Sequence, residues 1–328
     1  MQPMPRPSEG KIMRRVLVLI TLVLVVFVGA VWLVFRQDMQ DRMSSLSSVA
    51  DTRFAPVAFA SGGAGVPVLT IHGAGGGHDQ GRLLAEAFLP AGYRWIAPSR
   101  FGYPGSALPA NPSTAAQADA FAAMLDRLGI RRVTLLAMSG GVPPALQFAL
   151  RHPDRTQALI LLSLAPFAPL TAEEQELPVP LWLYDALFAT DFPLWALLRV
   201  SPRALAPMFD ARPELVAQMT AAEAGFLDAM IAAFLPVTLR RAGLANEAAA
   251  IDPAAAINPS AIRVPVLLVH ARDDRLTPFS TARFTAERIA GAETLFLDSG
   301  GHLLLGHQDA VRQRIAEFLT INAPSVAE

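Results

Sequence analysis

Apolar positions follow three regimes along the chain. Residues 16–35 form a run of 20 interrupted only by Thr21 and Gly29. From about residue 54, short apolar runs alternate with stretches of helical spacing. The runs 66–71, 94–97, 133–137, 158–163, 264–270 and 294–297 each read as a buried strand ending at polar or glycine residues. Between them, 82–91, 115–128, 143–151, 280–289 and 310–319 carry helical periodicity. Such alternation predicts an α/β fold, a mostly parallel, doubly wound sheet with helices on both faces. From 166 to 263 the alternation stops. That segment is Ala- and Leu-rich, cut by Pro178, Pro180, Pro193, Pro202, Pro207, Pro213 and Pro236, and it predicts a helical insertion.

The first regime is long enough for a membrane. At about 1.5 Å per residue, 20 residues span about 30 Å, the hydrocarbon thickness of a bilayer. A cleavable signal peptide has an apolar stretch of about 7–15 residues before a small-x-small site. Here the run continues past Gly29-Ala30 through Val31-Trp32-Leu33-Val34-Phe35. The pattern therefore predicts an uncleaved single-pass anchor, with secretion after cleavage as the alternative. Lys11, Arg14 and Arg15 precede it, which predicts a cytoplasmic N-terminus and an extracytoplasmic domain.

The expected layout is a basic segment at 1–15, a transmembrane helix at 16–35 and a polar linker at 36–53. An α/β core at 54–165 and 264–320, a helical insertion at 166–263 and a tail at 321–328 complete it. Over 328 residues, 27 Lys and Arg meet 28 Asp and Glu, a net charge of −1 that offers nucleic acid no electrostatic footprint. Without residues 1–36, which hold five bases and one acid, the remainder carries 22 against 27, or −5. Cysteine is absent, which excludes disulfides, thiolate metal sites and cysteine nucleophiles. Lys11 is the only lysine, which excludes a Schiff-base lysine in the folded domain.

In a parallel sheet, ligands sit beyond the carboxyl ends of the strands. One serine, a pair of acids and a glycine-flanked histidine follow strands here. Ser139, in Ala137-Met138-Ser139-Gly140-Gly141, lies between a strand and a helix opening on Pro143 and Pro144, residues suited to a helix's first turn. A nucleophile on such a turn needs small neighbours two residues to either side, which Ala137 and Gly141 supply. His72-Gly73-Ala74-Gly75 follows the central strand, and the Ala74 and Gly140 amides are the natural pair to hold an oxyanion. Asp274, or its neighbour Asp273, can orient a histidine. His302 follows Gly300-Gly301 after the last strand, with His307 as its rival. His72, His78, His152 and His270 are assigned to loop-orienting or structural roles. No H-E-x-x-H exists, so no metal is expected.

A dinucleotide reading competes, because Gly73-Ala74-Gly75 is a G-x-G after a strand and Ser99-Arg100 could hold a ribose phosphate. However, His78 stands where the third glycine belongs.

Taken together, the His72-Gly73-Ala74-Gly75 turn, the Ser139 elbow, His270-x-x-x-Asp274-x-x-x-Pro278 and Gly301-His302 resemble the α/β-hydrolase fold family over residues 54–320. Arg100-Phe101-Gly102-Tyr103-Pro104-Gly105-Ser106 is similar to that family's R-x-G-x-G-x-S loop, and is taken as a fold marker. Ala137 departs from the usual glycine, and Pro104 stands where the second loop glycine is expected. The insertion falls where family members carry a cap. The resemblance implies acyl transfer: His302 deprotonates Ser139, Asp274 orients His302, the Ala74 and Gly140 amides hold the oxyanion, and water releases the acyl group without a cofactor. The expected substrate is a small molecule with an apolar acyl or alcohol group, since the cap holds Trp182, Tyr184, Phe188, Phe192, Trp195, Phe209, Phe226 and Phe234. Most of these are also natural cap core. The leading expectation is a membrane-anchored, carboxylesterase-like serine hydrolase. The alternatives are a catalytically silent binding module and an NADP-dependent oxidoreductase.

Overall fold

A computed structural model describes residues 9–43, 48–165, 186, 189–250 and 257–323. The chain divides into two compact units, Met1–Ser45 and Leu46–Glu328.

The first unit is one helix, α1 (Glu9–Met43), of 35 residues. Its best 18-residue window has a mean hydropathy of 3.1, long and apolar enough to cross a bilayer. The helix does not stop where the apolar run does. Within the segment expected to be a polar linker, 36–53, the residues up to Met43 are helical and Ser48–Asp51 form a strand. The polar residues up to Met43 lie on this helix. Arg42 pairs with Asp38 one turn back at 3.2 Å, and Gln37 donates to Asp41 at 2.9 Å.

The second unit is built on an eight-stranded sheet among the described residues. In chain order the strands are β1 (Ser48–Asp51), β2 (Pro56–Gly62), β3 (Val66–Ile71), β4 (Tyr93–Pro98), β5 (Val133–Met138), β6 (Thr156–Leu162), β7 (Val266–Ala271) and β8 (Glu293–Leu297). Their spatial order is β1-β2-β4-β3-β5-β6-β7-β8. β2 is antiparallel to both β1 and β4, and every other pairing is parallel. β1 and β2 lie where no strand was expected, so the sheet begins six residues before the anticipated core boundary of 54. β1 is a four-residue edge strand that is mostly exposed, and β2 beside it mixes buried Val57, Ala58 and Phe59 with exposed or half-buried small residues, so neither shows a continuous apolar run. Strands β3 to β8 match the six apolar runs.

Around the sheet lie α2 (His78–Phe88), α3 (Thr114–Arg127), α4 (Val142–Arg151), α8 (Phe279–Arg288) and α9 (Gln308–Asn322). Between β6 and β7 the described part of the insertion contains α5 (Asp191–Val200), α6 (Ala221–Ala232) and α7 (Arg241–Ala250), joined by short turns and without a strand. α3, α4 and Ala282 of α8 share an apolar cluster with Leu69, Leu135, Leu159 and Leu268 of the sheet. α2 and α9 pack against each other. The chain leaves β3 toward β4 on one side and returns to place β5 on the other, so the carboxyl ends of β3 and β5 flank a topological switch point.

Candidate active site

At that switch point Ile71 is in register with Ala137, which brings the residues after β3 beside those after β5. Ser139 follows β5 with a φ of 52°, a left-handed conformation that costs a non-glycine residue of order 1–3 kcal/mol. The surroundings enforce it. Ala137 is fully buried, and a Cβ added at Gly141 would lie 2.6 Å from the Ile71 carbonyl oxygen and 2.7 Å from that of His72. Only glycine lets α4 start this close to β3. Ser139 faces the turn after β3: a Cβ placed on Gly73 would stand 3.0 Å from the Ser139 Cβ and 3.6 Å from its Oγ. The same construction on Gly140 falls 3.3 Å from the Ala74 amide nitrogen, so the two amides expected to hold an oxyanion are neighbours.

The turn carrying Ala74 is held from several sides. His72 is fully buried, donates from Nδ1 to the Gly73 carbonyl at 2.7 Å and accepts the Arg100 N–H on Nε2 at 3.0 Å. Burial and the Arg100 charge depress its pKa, so it stays neutral. The Arg100 guanidinium donates to the Gly140 carbonyl at 2.8 Å and the Gly73 carbonyl at 2.9 Å, and also contacts Glu247 of α7. Arg100 thus ties the Ser139 turn to the Ala74 turn. This loop, expected only to mark the fold, takes part in the site's architecture. With those partners around it, Arg100 is not presented to a ribose phosphate as the dinucleotide reading needs. Glu247 also contacts the Tyr103 hydroxyl, which accepts the Gly75 N–H at 3.2 Å. A Cβ on Gly140 would lie 2.6 Å from the Glu247 Oε2.

On the other side of Ser139, Asp274 follows β7 and His302 follows β8. His302 Nδ1 lies 2.9 Å from Asp274 Oδ2. The remaining acceptor capacity of Asp274 is filled by the Leu276 and Thr277 N–H groups at 2.9 and 3.0 Å and by the Thr277 hydroxyl at 2.7 Å. Burial alone would raise the Asp274 pKa, but the His302 charge and hydrogen bond, the Thr277 N–H and His270 lower it to about 2. Burial likewise opposes the charged form of His302, yet the Asp274 charge and hydrogen bond, with Asp210 adding, leave its pKa raised above 6.5.

The neighbouring acid is used differently. Asp273 accepts the Gly301 N–H at 2.9 Å and contacts the Arg212 guanidinium. Of the two acids left open by the sequence, Asp274 is the one that bonds His302. His307 instead occupies the N-cap of α9. His270 accepts the Leu164 N–H at 3.1 Å and donates to the Thr277 carbonyl at 3.1 Å, which holds the Asp274 loop. The segment after β6 joins the two halves: Ser163 Oγ donates to the His302 carbonyl at 2.7 Å, and the Ala165 N–H reaches the Ser139 carbonyl at 3.4 Å. Among the described residues, no three His, Asp or Glu side chains converge as a metal site needs.

A model of the alpha/beta hydrolase fold family matches residues 66–306. The chain belongs to the α/β-hydrolase family. It is 31% identical over 266 residues to the 2-hydroxymuconate semialdehyde hydrolase of Pseudomonas sp. (strain CF600), covering 78% of this chain and 88% of that one. It is 30% identical over 242 residues to the pimeloyl-[acyl-carrier protein] methyl ester esterase of Aromatoleum aromaticum, covering 72% and 90% respectively. Among solved structures, an alpha/beta hydrolase fold protein from Nakamurella multipartita superposes with a TM-score of 0.71 at 28% identity, over 84% of this chain and 99% of that one. This α/β-hydrolase accordingly has the fold and the hydrolase character anticipated for it.

The cap of this α/β-hydrolase meets the core through charged groups that sequence reasoning did not single out. Arg240, 1% exposed, donates to the Gly76 carbonyl at 2.6 Å and to Asp79 of α2 at 2.7 Å. Glu223 of α6 forms a capping box with Thr220 and also accepts the Gln308 N–H at the start of α9 at 3.0 Å. The cap aromatics within the described residues serve mostly as its own packing. Phe209 stacks edge-on to Phe234, and Trp195 is buried. Phe226 meets Phe88 of α2, and Phe234 stands over the Ala74 turn, where a Cβ on Gly75 would be 2.2 Å from its ring. Trp182, Tyr184 and Phe188 lie outside the described residues.

Proposed function

We propose that this hydrolase cleaves a carboxylic ester or closely related acyl bond, with Ser139 as nucleophile, His302 as general base and Asp274 as the group orienting it. The observation that carries this reading is the 2.9 Å Asp274–His302 bond, delivered to the same sheet edge as a serine held at a φ of 52°. An ionised Asp274 fixes the imidazole with its proton on Nδ1 and leaves Nε2 free to take the Ser139 proton. Ser139 Oγ then attacks the carbonyl carbon, and the Ala74 and Gly140 amides receive the negative charge that develops on its oxygen. His302 returns the proton to the departing alcohol, and water repeats the sequence on the acyl-enzyme.

The substrate we assign is a small, uncharged molecule with an apolar acyl or alcohol group. Phe234 supplies an apolar wall above the oxyanion turn, and the Glu247 carboxylate beside Gly140 disfavours acidic acyl groups. The α1 helix acts as a single-pass anchor, with the catalytic unit on the extracytoplasmic side, on the strength of its apolar length and of Lys11, Arg14 and Arg15 before it.

A fluorophosphonate probe applied to the full-length protein in detergent tests the chemistry. Labelling should vanish in Ser139→Ala and fall strongly in His302→Ala. A folded wild-type protein that neither labels nor turns over short-chain p-nitrophenyl esters would move the assignment to a binding module. Orientation is tested separately with alkaline phosphatase fused after about residue 45. Activity of the fusion supports the exported domain, and silence beside an active cytoplasmic reporter reverses it. Recovery of a shortened chain in the soluble fraction would replace anchoring by secretion.

A further inference from the structure

Asp210 lies in the cap, far along the chain from the acid and the base, yet it touches both of their loops. It ends the short turn Ala206–Phe209 with a φ of 54°, a left-handed conformation for a non-glycine residue, and is 3% exposed. Its Oδ2 accepts the N–H of Arg275, the residue after Asp274, at 3.1 Å. On the other side it presses against Gly301, the residue before His302. A Cβ there would lie 2.8 Å from the Asp210 Oδ2 and 2.9 Å from its carbonyl oxygen. Arg212, two residues on, stands 3.6 Å from the Asp210 carboxylate and also contacts Asp273, which in turn holds the Gly301 N–H. The Asp274 loop, the His302 loop and the cap are thus knotted around one buried carboxylate.

We propose that Asp210 is a positioning residue, a second carboxylate that locks the Asp274 and His302 loops together and favours the imidazolium that forms as Ser139 attacks. This rests on the reading of His302 as general base. Asp274 makes the 2.9 Å hydrogen bond to the ring, with the Thr277 hydroxyl 3.4 Å from the same nitrogen, and Asp210 contributes through its charge and its grip on Arg275 and Gly301. The groups facing His302 are Asp274, Asp210 and His270. Those facing Asp210 are Arg212, Asp274 and His302, with Arg212 shared between Asp210, Asp273 and Glu214. Burial and Asp274 oppose ionisation of Asp210 and raise its pKa, while the Arg275 N–H, Arg212 and His302 favour the charged form.

The test reads His302 directly, so it does not depend on turnover. The full chain has six histidines, and its imidazole resonances can be followed against pH by NMR after labelling histidine, with His302→Gln assigning the signal. Asp210→Asn keeps an oxygen for the Arg275 N–H and removes only the charge, so the His302 titration should move to lower pH by about half a pH unit or more. Arg212→Gln removes the cation that offsets Asp210 and Asp273, and should move it to higher pH. An unmoved titration in Asp210→Asn overturns the proposal whatever the probe does. Should that variant fail to fold, an unmoved or lowered titration in Arg212→Gln overturns it. In parallel, the pH profile of fluorophosphonate labelling should shift acidward in Asp210→Asn. If His302 titrates as expected while the wild type neither labels nor turns over p-nitrophenyl esters, the hydrolytic reading fails and the positioning of His302 stands.

Discussion

Strands β5 and β7 have every residue buried, mostly Val, Leu and Ala, and the helices beside them contribute further apolar side chains to a continuous core. The cap meets that core around the site in a different way. Arg240, Asp210 and Glu223 are almost fully buried at the seam, with Arg212 and Glu247 close to it, and each reaches a loop or a helix terminus of the α/β unit. Apolar burial is non-directional and tolerates rearrangement if volume is kept. Buried ions do not: each demands its partners at hydrogen-bond distance, and one left alone is costly. The sheet therefore supplies stability, while the seam supplies register between the cap and the loops that carry Ser139, Asp274 and His302.

The largest test of that division compares two adjacent acids. Asp274→Asn should lower kcat/KM for a p-nitrophenyl ester by roughly 10⁴-fold, because the imidazole loses the group that fixes its tautomer. Asp273→Asn keeps an oxygen for the Gly301 N–H and loses only the pairing with Arg212, so its kcat/KM should stay within about tenfold of wild type. Equal losses in the two variants would erase the distinction between core-facing and cap-facing acids.

A second pair compares the regions by stability. Leu135→Ala removes a fully buried side chain from β5 and should cost about 2–5 kcal/mol in denaturant unfolding, spread over the whole unit. Arg240→Met leaves the Gly76 carbonyl and Asp79 without their cation and should cost about 3–5 kcal/mol. That cost should be felt first at the cap. Hydrogen exchange should speed up in α6 while β5 and β6 stay protected, and uniform acceleration would mean that cap and sheet open as one body.

The pH dependence should be set on the core side of the seam. In the proposed mechanism His302 must be neutral to accept the Ser139 proton, and its pKa is raised, so kcat/KM should rise with pH through a limb above 6.5. Asp274 works in the opposite range. Because its folded pKa is lowered to about 2, its contribution to stability is complete above the ordinary value of 3.8 and is lost as pH falls through the folded value. Acid unfolding monitored by circular dichroism should therefore begin at higher pH in a variant that keeps Asp274 but loses the pairing, His302→Gln. The smallest effect is expected at Glu247. Glu247→Gln removes the negative charge beside Gly140, so KM should fall a few-fold for a substrate with an acidic acyl group and hardly change for a neutral one. Identical changes for both would remove Glu247 from substrate selection.

The same contrast explains what could be read from the chain. Strands β3 to β8 were legible because each is a short apolar run closed by glycine or polar residues, and Ser139, Asp274 and His302 stood out as candidates because each follows such a run. β1 and β2 were not, since β1 is a four-residue, mostly exposed edge strand and β2 mixes three buried apolar residues with exposed small and polar ones. The charges at the seam were the least legible. Asp210, Arg212, Arg240 and Glu247 sit in an insertion whose pattern reads as helices with solvated faces, and their partners lie up to 164 residues away in sequence. Spacing along a helix carries no trace of a partner on another layer. Arg100 was noticed as part of a loop motif, but its donation to the Gly73 and Gly140 carbonyls depends on two turns meeting in space.

Burying arginine and carboxylate groups along the seam also sets how the cap responds to heat. Hydrating apolar surface raises the heat capacity, whereas hydrating polar surface lowers it. Melting the sheet exposes the first kind, and parting the seam around Arg240 and Asp210 exposes much of the second. The two transitions therefore follow differently curved free-energy profiles with temperature: steeply bowed for global unfolding and flatter for separation at the seam. Warming the enzyme within its folded range thus changes the balance between closed and parted seam less than it changes the stability of the sheet beneath.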